Sequence, residues 1–196
     1  MKLILATNNK NKLREIREML TDVEVVSLND VSINIDVEET GTTFEENAII
    51  KARTIYDMLD EPCFVLADDS GLCVKALDNR PGIYSHRFAG EDATDEERIN
   101  KLLEELSYHP GSDRTAYYEC AMCLITPDNQ THTFDGKVYG SILHKCYGNN
   151  GFGYDPIFEY KGRTFAELTD EEKNAVSHRH NAIIQVVDFL KTYKEE

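Results

Sequence analysis

The sequence predicts an α/β fold in which a mixed β-sheet is flanked by helices. Strand-like and helix-like segments follow one another along the chain in a mixed order, without an internal repeat. Hydrophobic residues make up 41% of the 196 positions, which is enough to build a core. A chain of this length is typical of one domain, so we expect a single domain over residues 1–196, with room for two lobes around one sheet.

The first third of the chain carries clear helix and strand signals. In order, we predict a strand at 2–6, a helix at 11–20, a strand at 23–28, a polar loop or edge segment at 29–43, a helix running to about residue 59, and a buried strand at 63–67. Leu13, Ile16 and Leu20 recur at helical spacing within the first helix. The second helix is expected to begin after Thr43, because Thr43 and Glu46 have the spacing of a capping box.

The remainder of the chain contains one long irregular segment and further regular elements. We predict an irregular stretch at 68–90 with a short strand at 72–74, a helix at 94–106, strands at 114–126 and 131–143 joined by the turn 127–130, a helical turn at 170–173 and a helix at 177–194. Thr94 is the expected N-cap of its helix. Long loops inside compact domains are usually functional, which draws attention to residues 68–90.

Charge and cysteine content exclude several classes of protein. The formal net charge is −15 without a Lys/Arg-rich run, so we expect no nucleic acid polymer as a partner. We find no apolar run of membrane-spanning length and no export signal, and therefore expect no membrane association and a cytoplasmic protein.

The five cysteines are an odd number, which favours reduced thiols. Cys120 and Cys123 have C-x-x-C spacing, but strand positions three apart face opposite sides, so we predict core thiols here.

A polar loop between the first strand and the first helix predicts an anion-binding site. Free backbone N–H groups and the helix dipole favour an anion at such a position. The loop consists of Thr7, Asn8, Asn9, Lys10, Asn11 and Lys12. It lacks the Walker A pattern, and a polar capping loop with a solvated lysine is the alternative.

An acidic pair, Asp68 and Asp69, directly follows the strand predicted at 63–67. Carboxylates at the carboxyl end of a strand lie where open α/β sheets bind ligands, and Mg²⁺ takes oxygen ligands. Glu38 and Glu39 are a further source of carboxylates. The alternative is an Asp-rich turn that ends the strand.

Two further segments have the composition of a nucleotide site. The segment 148–158 combines three glycines, which permit a close approach of the backbone, with aromatic rings that can stack on a base. The segment 177–180, Ser-His-Arg-His, follows Lys173 by four residues and offers groups that can read a base edge. Taken alone, the first segment is equally compatible with a Gly-rich connector, whereas the composition of the second favours an ordinary helix start and the position of Lys51 favours a solvated lysine.

Six segments occur together in one order along the chain. They are Leu5-Ala6-Thr7-x-Asn9-x-x-Lys12, Thr43-Phe44-x-Glu46-Asn47-Ala48-x-x-Lys51-Ala52, Ala67-Asp68-Asp69-Ser70-Gly71-Leu72, Pro81-Gly82-Ile83-Tyr84-Ser85, Gly151-Phe152-Gly153-Tyr154-Asp155-Pro156-Ile157-Phe158, and Lys173-x-x-x-Ser177-His178-Arg179. This set closely resembles the Ham1/inosine triphosphate pyrophosphatase family from residue 3 to about residue 190. Two positions depart from the family pattern: His86 stands where a small residue is frequent, and Asn8 stands where glycine is frequent.

The resemblance implies a house-cleaning enzyme. Such enzymes hydrolyse non-canonical purine nucleoside triphosphates (ITP, dITP and XTP) to the monophosphate and pyrophosphate with Mg²⁺. It also implies a homodimer and an elongated mixed sheet whose two lobes enclose a central substrate cleft.

Site residues carried over from the family fall into three groups. Asp69 is implied as the catalytic carboxylate, and Glu39 and Asp69 as metal ligands. Asp68 is a further candidate metal ligand because it is adjacent to Asp69, and not because of the family resemblance. The implied substrate contacts are Thr7, Asn8, Asn9, Lys10, Asn11, Lys12, Lys51, Ser70, Phe152, Gly153, Tyr154, Asp155, Lys173, His178 and Arg179.

Two other functions stay open at this point. One is a nucleotide-binding sensor without turnover, against which the intact acids Asp68, Asp69 and Glu39 argue. The other is a pyrophosphatase for pyrimidine triphosphates, as in the related Maf family, against which the segments 152–155 and 177–179 argue.

Overall fold

The structure, a computed structural model, describes residues 1–195 and confirms the predicted α/β class, with helices flanking a mixed sheet of eight strands. The strands are β1 (Lys2–Leu5), β2 (Glu24–Ser27), β3 (Phe64–Val74), β4 (Arg80–Pro81), β5 (Thr115–Ile125), β6 (Thr131–Ile142), β7 (Phe158–Tyr160) and β8 (Arg163–Thr164). The helices are α1 (Lys10–Met19), α2 (Phe44–Tyr56), α3 (Asp95–Ser107), α4 (Asp170–Asn174) and α5 (His178–Glu195). Short 3₁₀ turns occupy Asn29–Val31, Lys75–Leu77, Gly82–Tyr84, Asp155–Ile157 and Phe165–Glu167.

The sheet combines parallel and antiparallel neighbours. Its strand order is β2-β1-β3-β5-β6-β7-β8, and β4 pairs with β3 outside this series. Strand β1 runs parallel to β2 and β3, with Leu3 opposite Val25 and Phe64. Strands β4 and β7 pair antiparallel with their neighbours. The predicted mixed character of the sheet is therefore observed.

The described residues divide into two compact units. Unit 1 comprises Met1–Asp69, Cys120–Gly136 and the segment from Arg179 onward, and unit 2 comprises Ser70–Glu119 and Lys137–His178. Unit 1 contains two apolar clusters; Leu66 belongs to one of them and Val65 to the other. Unit 2 contains one cluster, to which Tyr118 and Phe158 belong. Each unit therefore has a core of its own.

Strand β3 differs from the sequence-based prediction. The expected strand stopped at residue 67 and an irregular stretch began at Asp68, but β3 continues without a break to Val74. Asp68 and Asp69 therefore lie within a buried strand, and not at its carboxyl end. A carboxylate is tolerated there because cations from other segments compensate its charge, a condition that local sequence patterns do not reveal.

Helix starts follow the predicted capping residues. Thr94 caps α3 in a complete capping box with Glu97. Thr43 caps α2 by accepting a hydrogen bond from the backbone N–H of Glu46. The capping box is not complete, because the Glu46 carboxylate accepts hydrogen bonds chiefly from the backbone N–H and the hydroxyl of Thr42.

The two cysteines with C-x-x-C spacing are buried thiols within β5, as predicted. Cys120 packs in one apolar cluster of unit 1 and Cys123 in the other, in agreement with opposite strand faces. Among residues 1–195, no helix combines the length and the apolar character needed to span a membrane.

Candidate active site

The polar loop before α1 is organised by its own side chains. Asn9 is the N-cap of α1, and its Oδ1 accepts from the backbone N–H groups of Asn11 and Lys12 at 2.9 and 3.2 Å. Thr7 Oγ1 accepts from the backbone N–H of Asn9 at 3.2 Å, and Asn8 Nδ2 donates to the carbonyl of Ile35 at 2.7 Å. The loop is therefore preorganised at a helix N-terminus, the type of position that favours anions. Phosphate contacts by this loop, including Lys10, stay a prediction.

Asp68 is a fully buried carboxylate surrounded by cations of unit 1. Its Oδ2 lies 3.0 Å from Lys12 Nζ and 3.3 Å from Arg179 Nη2. The Arg179 guanidinium also pairs with buried Glu15. Burial by itself raises the pKa of Asp68, but the charges of Lys12 and Arg179 outweigh it and hold that pKa well below its usual range. Asp68 is therefore ionised in the folded protein, and Arg179 belongs to this ion cluster.

Asp69 shares a lysine with Glu39. Lys51 Nζ lies 2.7 Å from Glu39 Oε1 and 3.3 Å from Asp69 Oδ1. Burial raises the pKa of Asp69, and the charges of Lys51 and Lys12 offset only part of this effect. A carboxylate whose pKa is raised is better suited to accept a proton near neutral pH than an ordinary aspartate. Lys51, a predicted substrate contact, thus contacts both of the predicted metal ligands.

Asn47, which the sequence prediction did not assign to the site, supports Asp69. Asn47 is fully buried; its Nδ2 donates to Asp69 Oδ2 at 3.0 Å and its Oδ1 accepts from the backbone N–H of Gly41 at 2.8 Å. Since Glu39 is two residues before Gly41, the same amide fixes both the Glu39 loop and Asp69. Its spacing of four residues from Lys51 on α2 is the signal that could have revealed it, because such positions share a helix face.

The acidic residues of unit 1 include ligands of the type that Mg²⁺ prefers. Two carboxylates, those of Glu39 and Asp69, converge on one cationic group, and Asp68 Oδ1 is a buried oxygen without a hydrogen-bond partner among residues 1–195. No group of three or more His, Cys, Asp or Glu side chains in this part of the chain is arranged to hold a metal by itself. Mg²⁺ is commonly held by one or two carboxylates together with phosphate oxygens and water, so the side chains present fit this ion.

In unit 2, Asp155 organises the Gly-rich segment. Asp155 Oδ2 accepts from Lys173 Nζ at 2.7 Å and from the backbone N–H of Phe152 at 3.0 Å. The Lys173 ammonium also lies over the Phe152 ring, 4.6 Å from its centroid. A side chain at Gly151 would place its Cβ 2.1 Å from Asp155 Oδ2, and Gly151 has a φ of +72°, so only glycine fits this turn.

The other predicted contacts of unit 2 have defined surroundings. Tyr154 is buried and its hydroxyl donates to the carbonyl of Ser85 at 2.8 Å. The backbone N–H of Gly153 donates to Asp95 Oδ2 at 2.8 Å. His178 is buried and its ring stacks on Tyr118.

Ser70 and His86 lie outside the contacts described so far. Ser70 is half-buried in β3, directly after Asp69. His86, the departure from the family pattern, offers its backbone carbonyl to Arg98 Nε at 2.5 Å. Substrate contacts by Ser70 and by the unit 2 residues stay predictions, as does a base contact by Arg179.

Known proteins resemble this chain over nearly its whole length. The family model described as the Ham1 family matches residues 3–189. A protein of Clostridium perfringens named dITP/XTP pyrophosphatase is 47% identical, with 97% of each chain covered. The solved structure of the Staphylococcus aureus Ham1 protein is 42% identical with a TM-score of 0.88, covering 98% of this chain and 100% of the other. A Ham1 protein from Coxiella burnetii is 42% identical with a TM-score of 0.87, covering 98% and 99%.

Proposed function

The chain belongs to the Ham1 family, and we propose that it hydrolyses the non-canonical purine nucleoside triphosphates ITP, dITP and XTP to the monophosphate and pyrophosphate. The names of curated relatives at 43–47% identity, all dITP/XTP pyrophosphatase, support this reaction. The observation that carries the proposal is the contact of Lys51 with both Glu39 and Asp69, which combines acid, base and cation at one place.

Hydrolysis of a triphosphate asks the protein for positioning and charge neutralisation more than for covalent chemistry. Asp69 is the base that orients the attacking water and accepts its proton, a role for which burial has raised its pKa. Lys12 and Lys51 neutralise charge on the phosphate oxygens. The side chains that balance Asp68 and Asp69 in the structure are thus the same cations that a triphosphate would engage.

Glu39 and Asp69 are the residues that would hold Mg²⁺, with Asp68 Oδ1 as a further oxygen. A bound Mg²⁺ would supply Lewis-acid neutralisation of the phosphate oxygens. Because the protein provides few ligands, phosphate oxygens and water would complete the coordination sphere.

Selection of the base follows from hydrogen-bonding chemistry. Hypoxanthine and xanthine present an oxo acceptor at position 6, whereas adenine presents an amino donor. A donor of Lys173 or His178 aimed at this position would meet a second donor on ATP, and a buried donor that finds no acceptor is costly. Phe152 supplies a ring for stacking, and GTP must be rejected through its 2-amino group.

The assembly and location are part of the same proposal. The resemblance to the family supports a homodimer, which light scattering of the purified protein tests. Free thiols at all five cysteines support a reducing cytoplasm.

A panel of triphosphates tests the function. The purified protein is incubated with ITP, dITP, XTP, GTP, ATP and a pyrimidine triphosphate, with Mg²⁺ or with EDTA, and pyrophosphate and orthophosphate are measured separately. We expect pyrophosphate from the first three and none with EDTA. Orthophosphate release, equal rates on ATP, or preference for the pyrimidine triphosphate would refute the proposal.

A further inference from the structure

Tyr118 connects two parts of unit 2 that were predicted to contact the base. It lies on β5 and is 7% exposed, in the apolar cluster of this unit. Its hydroxyl contacts the Gly-rich segment, and its ring contacts the start of α5.

The hydroxyl contacts the carboxylate that organises the Gly-rich segment. Tyr118 Oη lies 3.3 Å from Asp155 Oδ1, while the other oxygen of Asp155 accepts from Lys173 and from the backbone of Phe152. The Asp155 carboxylate is thus held at both oxygens. Because burial and the neighbouring Asp155 charge keep the pKa of Tyr118 well above its usual value, the phenol stays protonated and acts as the donor.

The ring of Tyr118 stacks on the imidazole of His178. The two ring centroids are 4.8 Å apart, and the ring planes form an angle of 13°. Two phenylalanines of the same apolar cluster also pack against Tyr118: the ring centroid of Phe158 lies 4.7 Å and that of Phe165 6.0 Å from the ring centroid of Tyr118. Aromatic packing of this kind restricts both rings, so the orientation of His178 depends on Tyr118.

We propose that Tyr118 is a positioning residue for purine selectivity: through its hydroxyl on Asp155 and its ring on His178, it sets two groups of base-contacting side chains in one fixed arrangement. The inference rests on the proposed function of the chain. Selectivity between a 6-oxo and a 6-amino purine needs donors held within about half an ångström of their productive position, which requires locked neighbours. Tyr118 restrains Asp155 and His178 in this way, and it has no role in binding the phosphates or in the chemical step.

Two variants of Tyr118 separate its two contacts. Tyr118→Phe keeps the ring and removes the hydroxyl, and we expect the KM for ITP to rise about fivefold to tenfold, the effect of one lost hydrogen bond, with kcat within about twofold. Tyr118→Leu removes the stack as well, and we expect a larger rise in KM and a fall of about tenfold in the ratio of kcat/KM for ITP to that for ATP. Calorimetric affinity for IMP should weaken in the same order.

The neighbouring tyrosine is a matched control. Tyr117 lies on the same strand and is half-buried. Its ring packs against that of Tyr139, with the two ring centroids 5.6 Å apart. Tyr117→Phe should leave KM, kcat and the ITP/ATP ratio as in the native protein. Thermal melting of every variant shows whether folding has changed.

The outcomes distinguish this inference from the proposed function. If the native protein releases no pyrophosphate from ITP, both are refuted. If the native protein is active and Tyr118→Phe keeps its KM and its IMP affinity, only the role of Tyr118 is refuted. A fall in kcat at unchanged KM would equally refute it, since base positioning acts on binding. Should Tyr118→Leu fail to fold, the phenylalanine variant alone decides.

Discussion

Gly41 leaves no room for a side chain beside Asn47. A Cβ at Gly41 would stand 2.6 Å from Asn47 Oδ1 and 2.7 Å from Glu46 Cβ. Since Asn47 holds Asp69 with its other amide atom, the missing side chain at position 41 is part of what keeps the Asp69 carboxylate in place.

Gly41→Ala should therefore reduce turnover from a distance. The added methyl group must displace Asn47 or the loop that carries Glu39, and overpacking of this kind costs about 1–3 kcal/mol. We expect kcat for ITP to fall by about tenfold or more, because small displacements of catalytic groups are costly. Exposed Thr40 offers a control: Thr40→Ala should leave kcat and melting temperature unchanged. Native turnover by Gly41→Ala would contradict the role of Asn47.

Asp69→Asn tests the proposed base. The amide cannot accept a proton, so pyrophosphate release should fall by about 10²-fold or more, the usual contribution of a general base. Binding of ITP, measured by calorimetry, should persist, because Lys12 and Lys51 remain. Exposed Asp60→Asn is the matched control. Near-native turnover by the Asp69 variant would show that another group activates the water.

The pH dependence of stability should reveal the ion pair of buried Asp68 with half-buried Lys12. The pKa of Asp68 is lower in the folded protein than its usual value of 3.8, because Lys12 and Arg179 outweigh the effect of burial. The unfolded chain therefore takes up this proton at a higher pH than the folded protein. The stabilisation is complete above pH 3.8 and is lost progressively as the pH falls below it.

Urea unfolding at pH 7 and at pH 3 measures this effect. Asp68→Asn leaves Lys12 and Arg179 with less compensation and should cost about 3–5 kcal/mol at pH 7. The difference between the variant and the native protein should shrink at pH 3. An equal difference at both pH values would mean that Asp68 does not contribute through its charge.

Thiol labelling should divide the five cysteines into three classes. Cys146 is exposed and Cys63 half-buried, whereas Cys73, Cys120 and Cys123 are buried. Burial raises the pKa of Cys123 to about 12 and also raises that of Cys120, which leaves very little thiolate at neutral pH. Ellman's reagent should modify Cys146 rapidly, Cys63 slowly, and the other three only in denaturant. Rapid labelling of Cys120 in the folded protein would contradict the buried environment.

Local patterns predicted most helices and strands, because apolar spacing and capping residues are short-range signals. Thr94 and the strand that holds Cys120 and Cys123 are examples. The continuation of β3 through Asp68 was not predictable in this way, since the compensating Arg179 is 111 positions further along the chain. Strands β7 and β8 have three and two residues and carry no periodicity to detect. Tyr118 was missed because a tyrosine on a buried strand is ordinary until its hydroxyl and ring contacts are known.

The ion cluster of Asp68 also dictates when the protein can finish folding during synthesis. Glu15 and Asp68 are translated early, but their shared partner Arg179 belongs to α5, the last helix among residues 1–195. Until that helix is made, two acids destined for the interior lack their guanidinium, and burying them is unfavourable. Unit 1 is thus completed only after α5 has been synthesised, and a chain that terminates before α5 should be recognised as unfolded and degraded rather than accumulate as a partly active enzyme.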